Sequence, residues 1–296
     1  MKTWKAELVL LLMTVIWGAT FLFTKIGLND CSPSLYIILR FAIASTISLS
    51  LFHKHFKFIN KEIFRNGVVL GLLFGGGFLL QTFGLKYTSV SNSAFITGLS
   101  VVLTPFAFYL VERKPIGKWK KIGVAIAGLG LWIFTNPDFD NINFGDLLTL
   151  ASCLFWALYI TFMDLFTYGR QSREETSLLV ILQFLAASSI ALLGLFLIDF
   201  GSIKLHFTSN LIISLLFNGI VASFFLTLLH TTFQRYSTPV KAALIFALEP
   251  VFASIFAMIF LGEVFGSLNY LGAAVLLSGV VVSSVIKDKT SIKQGK

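Results

Sequence analysis

Residues 8–23 read LVLLLMTVIWGATFLF, a stretch that contains no charged side chain. An α-helix rises about 1.5 Å per residue, so about 20 apolar residues cross the roughly 30 Å hydrocarbon core of a bilayer. Lys2 and Lys5 precede the stretch, as basic residues precede the apolar region of a secretory signal peptide. However, no small-residue cleavage motif follows it, and another apolar run begins shortly afterwards. We therefore interpret the stretch as a retained transmembrane helix.

The composition of the whole chain indicates the same environment. Apolar residues make up 56% of the 296 residues and charged residues only 12%, whereas a soluble domain carries about 25% charged residues. A chain of this length cannot enclose so much apolar surface in one aqueous core, so lipid is its solvent. The net charge of +9 does not indicate nucleic-acid binding, because the basic residues lie in short gaps between apolar runs. The two cysteines define no disulfide framework.

The apolar runs predict an all-α integral membrane protein with ten transmembrane helices. They are too long for the alternating segments of a β-barrel, and a helix pairs its backbone N–H groups within the lipid. The predicted spans are residues 6–27, 34–52, 64–84, 92–111, 120–135, 145–165, 176–198, 210–232, 240–261 and 267–286.

The distribution of basic residues predicts the orientation of these spans. If the N-terminus is cytoplasmic, all but four of the 23 Lys and Arg residues fall in cytoplasmic segments. The four exceptions are Lys25, Arg40, Lys86 and Lys204. Because short cytoplasmic loops are rich in Lys and Arg, we predict that both termini are cytoplasmic.

An internal repeat divides the predicted spans. Matching residues occur in the same order in both parts of the chain: Glu7 and Asp146, Trp17 and Trp156, Tyr87-Thr88-Ser89 and Tyr236-Ser237-Thr238, and Glu112 and Glu263. We predict two five-helix repeats, 1–140 and 141–296. Because five is odd, the second repeat enters the membrane from the opposite side. Inverted repeats of this kind are typical of transporters that open a midplane site to either side.

Several short motifs resemble those of the drug/metabolite transporter superfamily, in its ten-span EamA branch. They are Trp17-Gly18 with Phe21, Arg40-Phe41, Gly84-Leu85-Lys86-Tyr87-Thr88-Ser89, Leu248-Glu249-Pro250-Val251-Phe252, Leu261-Gly262-Glu263, Leu271-Gly272-Ala273-Ala274 and Ser278-Gly279-Val280. The resemblance covers nearly the whole chain, and the motif around Glu249 is the most specific part. The first half departs from the duplicated pattern, because Leu103-Thr104-Pro105 stands where the second half has Glu249-Pro250.

The resemblance implies a secondary transporter of small metabolites, often an exporter of amino acids or related compounds. It implies no ATP-binding domain and no cofactor. The two repeats are expected to rock about a central site by alternating access, with protons as one possible coupling ion. The resemblance also implies a location in the inner membrane of a bacterium, and it names no substrate, direction or oligomeric state.

Glu249 is the strongest candidate for a residue that binds the substrate or a coupling ion. It lies about ten residues into the ninth predicted span, close to the midplane, and ionisable residues at that depth usually bind substrates or ions. Pro250 follows it and predicts a kink, because proline cannot donate a helical hydrogen bond. Glu249 could bind a cationic group or carry a proton. The alternative is a structural Glu that bonds to a neighbouring helix.

Two further ionisable residues lie within predicted spans. Arg40, near the outer end of the second span, could attract a substrate carboxylate, or could instead reach the interface or form a structural pair. Its depth makes a direct pair with Glu249 unlikely. His230, near the inner end of the eighth span, could act as a gate or proton site, or could be a packed, hydrogen-bonded residue.

Aromatic and polar residues complete the candidate site. Trp17 and Trp156 are predicted to line opposite walls of a central cavity, together with Phe21, Tyr159 and Phe95. The alternative is that these rings form core packing. Polar candidates are Gln81 in the third span and the stripe Asn92, Ser93, Thr97 and Ser100 in the fourth, which should face protein or a cavity.

Glycine and proline mark candidate hinges. Gly67, Gly71 and Gly75 form overlapping G-x-x-x-G units, which permit close helix packing. Gly75 and Gly76 could also form a hinge for alternating access, and Pro105 and Pro250 predict kinks in their helices.

The alternatives to transport are a membrane-embedded enzyme and a non-transport scaffold. The chain has no H-E-x-x-H or G-x-S-x-G motif. Asp138 and Asp140 have a spacing seen in metal sites but are expected to form a solvated turn. We therefore predict a protein without enzymatic activity or a metal site.

Overall fold

The computed structural model describes residues 3–135, 143–169 and 172–285. This part of the chain is helical and contains no strand, with an isolated β-bridge between Cys31 and Leu205. The predicted all-α class is thereby confirmed. Predictions for Asp138 and Asp140 and for the basic C-terminal tail concern residues outside the described part.

Thirteen α-helices make up the described chain, and short 3₁₀ or π-helical turns extend several of them. The α-helices are α1 (Thr3–Gly27), α2 (Pro33–Phe52), α3 (Lys61–Tyr87), α4 (Val90–Gly98), α5 (Ser100–Glu112), α6 (Lys118–Thr135), α7 (Phe144–Thr167), α8 (Arg173–Gly194), α9 (Ser209–Leu216), α10 (Leu226–Phe233), α11 (Pro239–Phe246), α12 (Glu249–Leu261) and α13 (Ser267–Val285).

Eight helical segments are long and apolar enough to cross a membrane. They correspond to the predicted spans one to four and six to nine, and pairs such as α4 with α5 and α11 with α12 form one segment each. The two remaining predicted spans correspond to α6 and α13. Helix α6 carries Lys118, Lys120 and Lys121 at its start, and the apolar part of α13 is short, at Ser267–Ser283. The count of ten spans therefore remains a prediction.

Two of the long segments are interrupted near their middles, at Leu99 and at Ala247–Leu248. At both places the helix tightens into a 3₁₀-like turn, because the N–H of Leu99 donates to the Ile96 carbonyl and that of Leu248 to the Ile245 carbonyl. Pro250 follows the second turn and cannot donate the bond that would reach Phe246. Pro105, by contrast, lies inside α5, beyond the first turn.

Two large apolar cores flank the middle of the molecule. The first joins side chains of α1, α4–α7, α10, α11 and α13, and the second joins side chains of α2, α3, α7 and α8. Each core therefore contains helices from both predicted repeats, and α7 contributes to both cores. The rocking of the two repeats stays a prediction.

The glycines of α3 are packing sites. A Cβ atom built on Gly75 would lie 2.7 Å from Ala187 Cα, and one built on Gly76 would lie 2.5 Å from the Phe155 ring. Helix α3 runs without interruption through both glycines. The structure thus supports their packing interpretation. Irregular helical backbone in the described spans lies elsewhere, at Leu99, at Ala247–Leu248 and in the π-helical stretches Leu195–Asp199 and Phe217–Phe225.

Polar contacts join helices of the two predicted repeats at their ends. Glu7 in α1 forms an ion pair with Lys241 in α11, with an N–O distance of 2.5 Å. Asp146 in α7 accepts a 2.6 Å hydrogen bond from Thr88, which precedes α4. Asp146 also forms a capping box with Asn143, so the start of α7 is held in place.

Candidate functional site

A central cavity of about 70 Å³ lies where the two interrupted segments meet the apolar cores. Helical backbone that is irregular at membrane depth is tolerated where protein or a cavity surrounds it. Its lining comes from α1, α3, α4, α5, α7, α10, α11 and α12: Trp17, Thr20, Phe74, Phe78, Gln81, Thr97, Gly98, Ser100, Trp156, Tyr159, Ile160, His230, Phe246 and Glu249.

Glu249 is the acidic residue of this lining. It is the first residue of α12, directly after the turn at Ala247–Leu248, so the interruption of the helix sets its position. Its carboxylate has no hydrogen bond or ion pair with any residue in the described ranges. A carboxylate in an apolar setting needs a partner to offset its desolvation. The cavity is therefore suited to a ligand that supplies a proton or a cationic group.

Aromatic rings form a continuous wall beside Glu249. The ring of His230 lies 5.4 Å from that of Trp17, 5.2 Å from that of Phe246 and 5.6 Å from that of Tyr159. Trp156 lies 6.1 Å from Tyr159, in an edge-to-face arrangement. Faces of such rings attract cations as well as apolar groups.

Hydrogen bonds hold His230 in this wall. Gln234 donates from Nε2 to the Ile160 carbonyl over 2.6 Å, so its Oε1 accepts from His230 Nε2. His230 Nδ1 is buried and has no hydrogen-bond partner within the described structure. The packed interpretation of His230 therefore accounts for one ring nitrogen and leaves the other without a partner.

The opposite part of the lining is polar. Gln81 Nε2 donates to Thr97 Oγ1 over 2.9 Å, and Thr97 Oγ1 donates to the Ser93 carbonyl over 2.8 Å. Trp156 Nε1 is buried without a hydrogen-bond partner in the described ranges. Donors and acceptors therefore surround the cavity together with the aromatic faces, which is typical of pockets for small molecules.

Eight of the candidates from the sequence lie in this lining: Trp17, Gln81, Thr97, Ser100, Trp156, Tyr159, His230 and Glu249. Arg40 and Phe21 line a second, smaller cavity of about 10 Å³. The two cavities share Thr20, Phe78 and Gln81, so they are neighbours.

Three candidates lie outside both cavities, Asn92, Ser93 and Phe95, and their assignment to the site stays a prediction. Asn92 is exposed near the start of α4, where its backbone N–H donates to Ser89 Oγ. Phe95 is buried in the first core, with its ring 3.9 Å from that of Phe134. Helical periodicity alone does not distinguish a cavity lining from the core or from an exposed face.

The sequence interpretation missed three aromatic residues of the lining, Phe74, Phe78 and Phe246. Phe74 and Phe78 precede Gln81 on α3 at spacings of seven and three residues, which places all three on one helical face. Phe246 lies three residues before Glu249. Helical spacing from the polar candidates would have identified them.

The chain is similar to known membrane transporters in sequence and to a solved structure in fold. The sequence profile of the EamA-like transporter family matches residues 4–136 and again residues 143–285. An uncharacterized transporter of Archaeoglobus fulgidus is 31% identical over 95% of this chain and 86% of its own length. A probable amino-acid metabolite efflux pump of Escherichia coli is 25% identical over 92% of each chain. A crystal structure with 14% identity superposes over 99% of each chain, with a TM-score of 0.73.

Proposed function

Because this chain belongs to the EamA-like transporter family, we propose that it moves a small metabolite, such as an amino acid or a related compound, across the cytoplasmic membrane by alternating access. The protein is a multi-pass membrane protein, and its relatives are named as transporters or efflux pumps. Export is the proposed direction, because relatives from Escherichia coli and Salmonella typhimurium are named as efflux pumps for amino-acid metabolites.

The observation that carries the proposal is the unpaired Glu249 in a central cavity, at the interruption of its span. Two interrupted spans meet at the cavity, and such interruptions form the midplane sites of many secondary transporters. An apolar cavity with aromatic walls and one carboxylate selects solutes with a cationic group and an apolar body. Glu249 is accordingly proposed as the partner of that cationic group or as a proton carrier.

We also propose ten spans in two inverted repeats. The two matches to the family profile, over residues 4–136 and 143–285, support this division. The contacts at the helix ends support this division as well. In the predicted repeat, α1 corresponds to α7 and α4 corresponds to α11. The Glu7–Lys241 contact between α1 and α11 therefore corresponds to the Asp146–Thr88 contact between α7 and the start of α4.

The packing favours a motion in which the two cores separate. The first core, with Trp17 packed against it, and the second core, with Trp156 packed against it, lie on either side of the cavity. A small rotation between the cores would open the cavity at one end and close it at the other. Such a motion is still alternating access, but the parts that move relative to each other are the two cores rather than the two repeats.

Flux through purified protein tests the proposal. We expect proteoliposomes loaded with labelled amino acids, or with the corresponding decarboxylated amines, to release at least one of them with saturable kinetics. A thermal-stability screen of the same compounds selects the solute. Liposomes without protein are the control. Release equal to that control for every compound would contradict this substrate class.

The predicted orientation of the termini in the membrane can be tested separately. Reporter fusions at the C-terminus should be active only when the reporter works in the cytoplasm, because the basic residues place both termini there. The matched fusion within the loop between α3 and α4 should show the opposite result. A C-terminal reporter that is found outside the cytoplasm would contradict the prediction of ten spans.

A further inference from the structure

Arg40 lies in α2 with 2% of its surface exposed, within a segment long and apolar enough to span the membrane. Its Nε donates a 2.7 Å hydrogen bond to Ser223 Oγ. Its Nη2 is buried and has no hydrogen-bond partner, and the guanidinium forms no ion pair with a carboxylate of the described residues. The charge of Arg40 is therefore held in place but not neutralised.

The side chains around Arg40 fix its position. The guanidinium carbon lies 4.3 Å from the ring centre of Phe78 and 5.8 Å from that of Phe41. Contacts with ring faces offset part of the cost of burying a cation. They leave the N–H groups of Nη2 without an acceptor among the described residues, and guanidinium N–H groups, which form a planar fork, bind carboxylate oxygens well.

Arg40 lines the second cavity, which borders the central one. The other residues of its lining combine hydroxyl and amide groups with apolar side chains: Thr20, Phe21, Thr24, Phe78, Gln81, Thr82 and Leu85. None of them is acidic. The Phe78 ring that contacts the guanidinium also lines the central cavity, so the two cavities adjoin at this side chain.

A buried guanidinium with no anion is costly, because its desolvation is not repaid by an opposite charge. Residues kept in that condition usually pair with a ligand. The neighbouring cavity holds the second unpaired charge of opposite sign, Glu249. Arg40 and Glu249 therefore line adjoining cavities, and neither forms an ion pair with a side chain of the described residues.

We propose that the Arg40 cavity is an anion subsite that binds a carboxylate of the transported solute. The solute then carries opposite charges at its two ends: the carboxylate meets Arg40, and the cationic group meets Glu249. This rests on the proposed transport function and narrows its substrate class to bipolar compounds with an apolar body that fits the aromatic wall.

Benzoate and benzamide test the subsite directly, since they have the same shape and differ in charge. Binding to purified protein is followed by tryptophan fluorescence, because Trp17 and Trp156 line the central cavity, and by thermal stability. We expect benzoate to bind wild-type protein and benzamide to bind at least about tenfold more weakly, as charged hydrogen bonds are worth about that factor. In Arg40→Gln the preference should vanish.

Three variants make the result specific. Arg40→Lys keeps the charge without the fork and should retain a weakened preference for benzoate. Lys86→Gln removes the same charge from an exposed position and should bind benzoate like wild type. Glu249→Gln should keep or strengthen benzoate binding, because it removes the negative charge of the neighbouring cavity.

The outcomes separate the subsite from transport. Equal binding of benzoate and benzamide by wild-type protein, or an unchanged preference in folded Arg40→Gln, would overturn the subsite. If Arg40→Gln does not fold, the test uses Arg40→Lys instead. A preference for benzoate over benzamide as strong as that of wild type in Arg40→Lys would overturn the role of the guanidinium geometry. Absent flux with intact, Arg40-dependent benzoate binding would instead overturn the transport proposal and leave the subsite in place.

Discussion

Solute flux through reconstituted Glu249→Gln should fall about 100-fold below wild type, which corresponds to about 2.8 kcal/mol. The structure leaves this carboxylate without an ion pair or hydrogen bond from any described residue, in the lining of the central cavity. Its partner during transport is therefore the solute or a proton. Removing one member of a buried charge pair costs about 3–5 kcal/mol, so a 100-fold loss is a modest expectation.

Two assays distinguish the roles of Glu249. If it binds the cationic group of the solute, Glu249→Gln should lose both net efflux and exchange of labelled for unlabelled solute. If it carries a proton, the neutral Gln resembles the protonated state, so exchange should persist while net proton-coupled efflux is lost. Glu249→Asp retains the charge and should recover part of the activity.

Glu174→Gln is the matched control, because Glu174 lies at the start of α8, away from the cavity. It should transport like wild type. Wild-type flux in a folded Glu249→Gln variant would remove Glu249 from both roles.

Gly130→Ala should destabilise the protein by about 3 kcal/mol, at the upper end of the effects of overpacking. Helices α6 and α13 cross closely in antiparallel orientation, with Gly130 against Leu276 and Gly123 against Gly279. A Cβ atom on Gly130 would lie 2.3 Å from the Leu276 backbone nitrogen. Because backbone cannot rotate aside as a side chain does, the two helices must separate.

Gly128→Ala provides the control on the same helix. Its Cβ atom would meet a single side-chain carbon, Val102 Cγ2, at 3.0 Å. Replacing a helical glycine by alanine favours the helix by about 0.5–1 kcal/mol, so this variant should be neutral or slightly stabilised. Thermal unfolding in detergent, followed by size-exclusion fluorescence, measures both. Equal unfolding midpoints for the two variants would contradict the close crossing.

The candidate site was partly accessible from sequence. Glu249 and Trp17 were identified because charge at membrane depth and repeated aromatics are visible in a linear pattern, and both line the cavity. Asn92 and Phe95 lie outside the cavities, Asn92 on an exposed face and Phe95 in the first core, and helical periodicity does not distinguish these positions from a cavity lining. Gly75 and Gly76 suggested flexibility, yet their lack of side chains serves contact with α8 and α7.

The sequence by itself determined the membrane environment and the all-helical class, since lipid requires long apolar runs whose backbone bonds close within each helix. Tertiary structure decided what the run at residues 8–23 packs against: Gly18 there meets the backbone of α12, and Trp17 meets His230 and Phe246. It also decided that Arg40 and Glu249 lie in adjoining cavities, without an ion-pair partner among the described residues. Such contacts join residues far apart in the chain, and helical periodicity carries no information about which helices become neighbours.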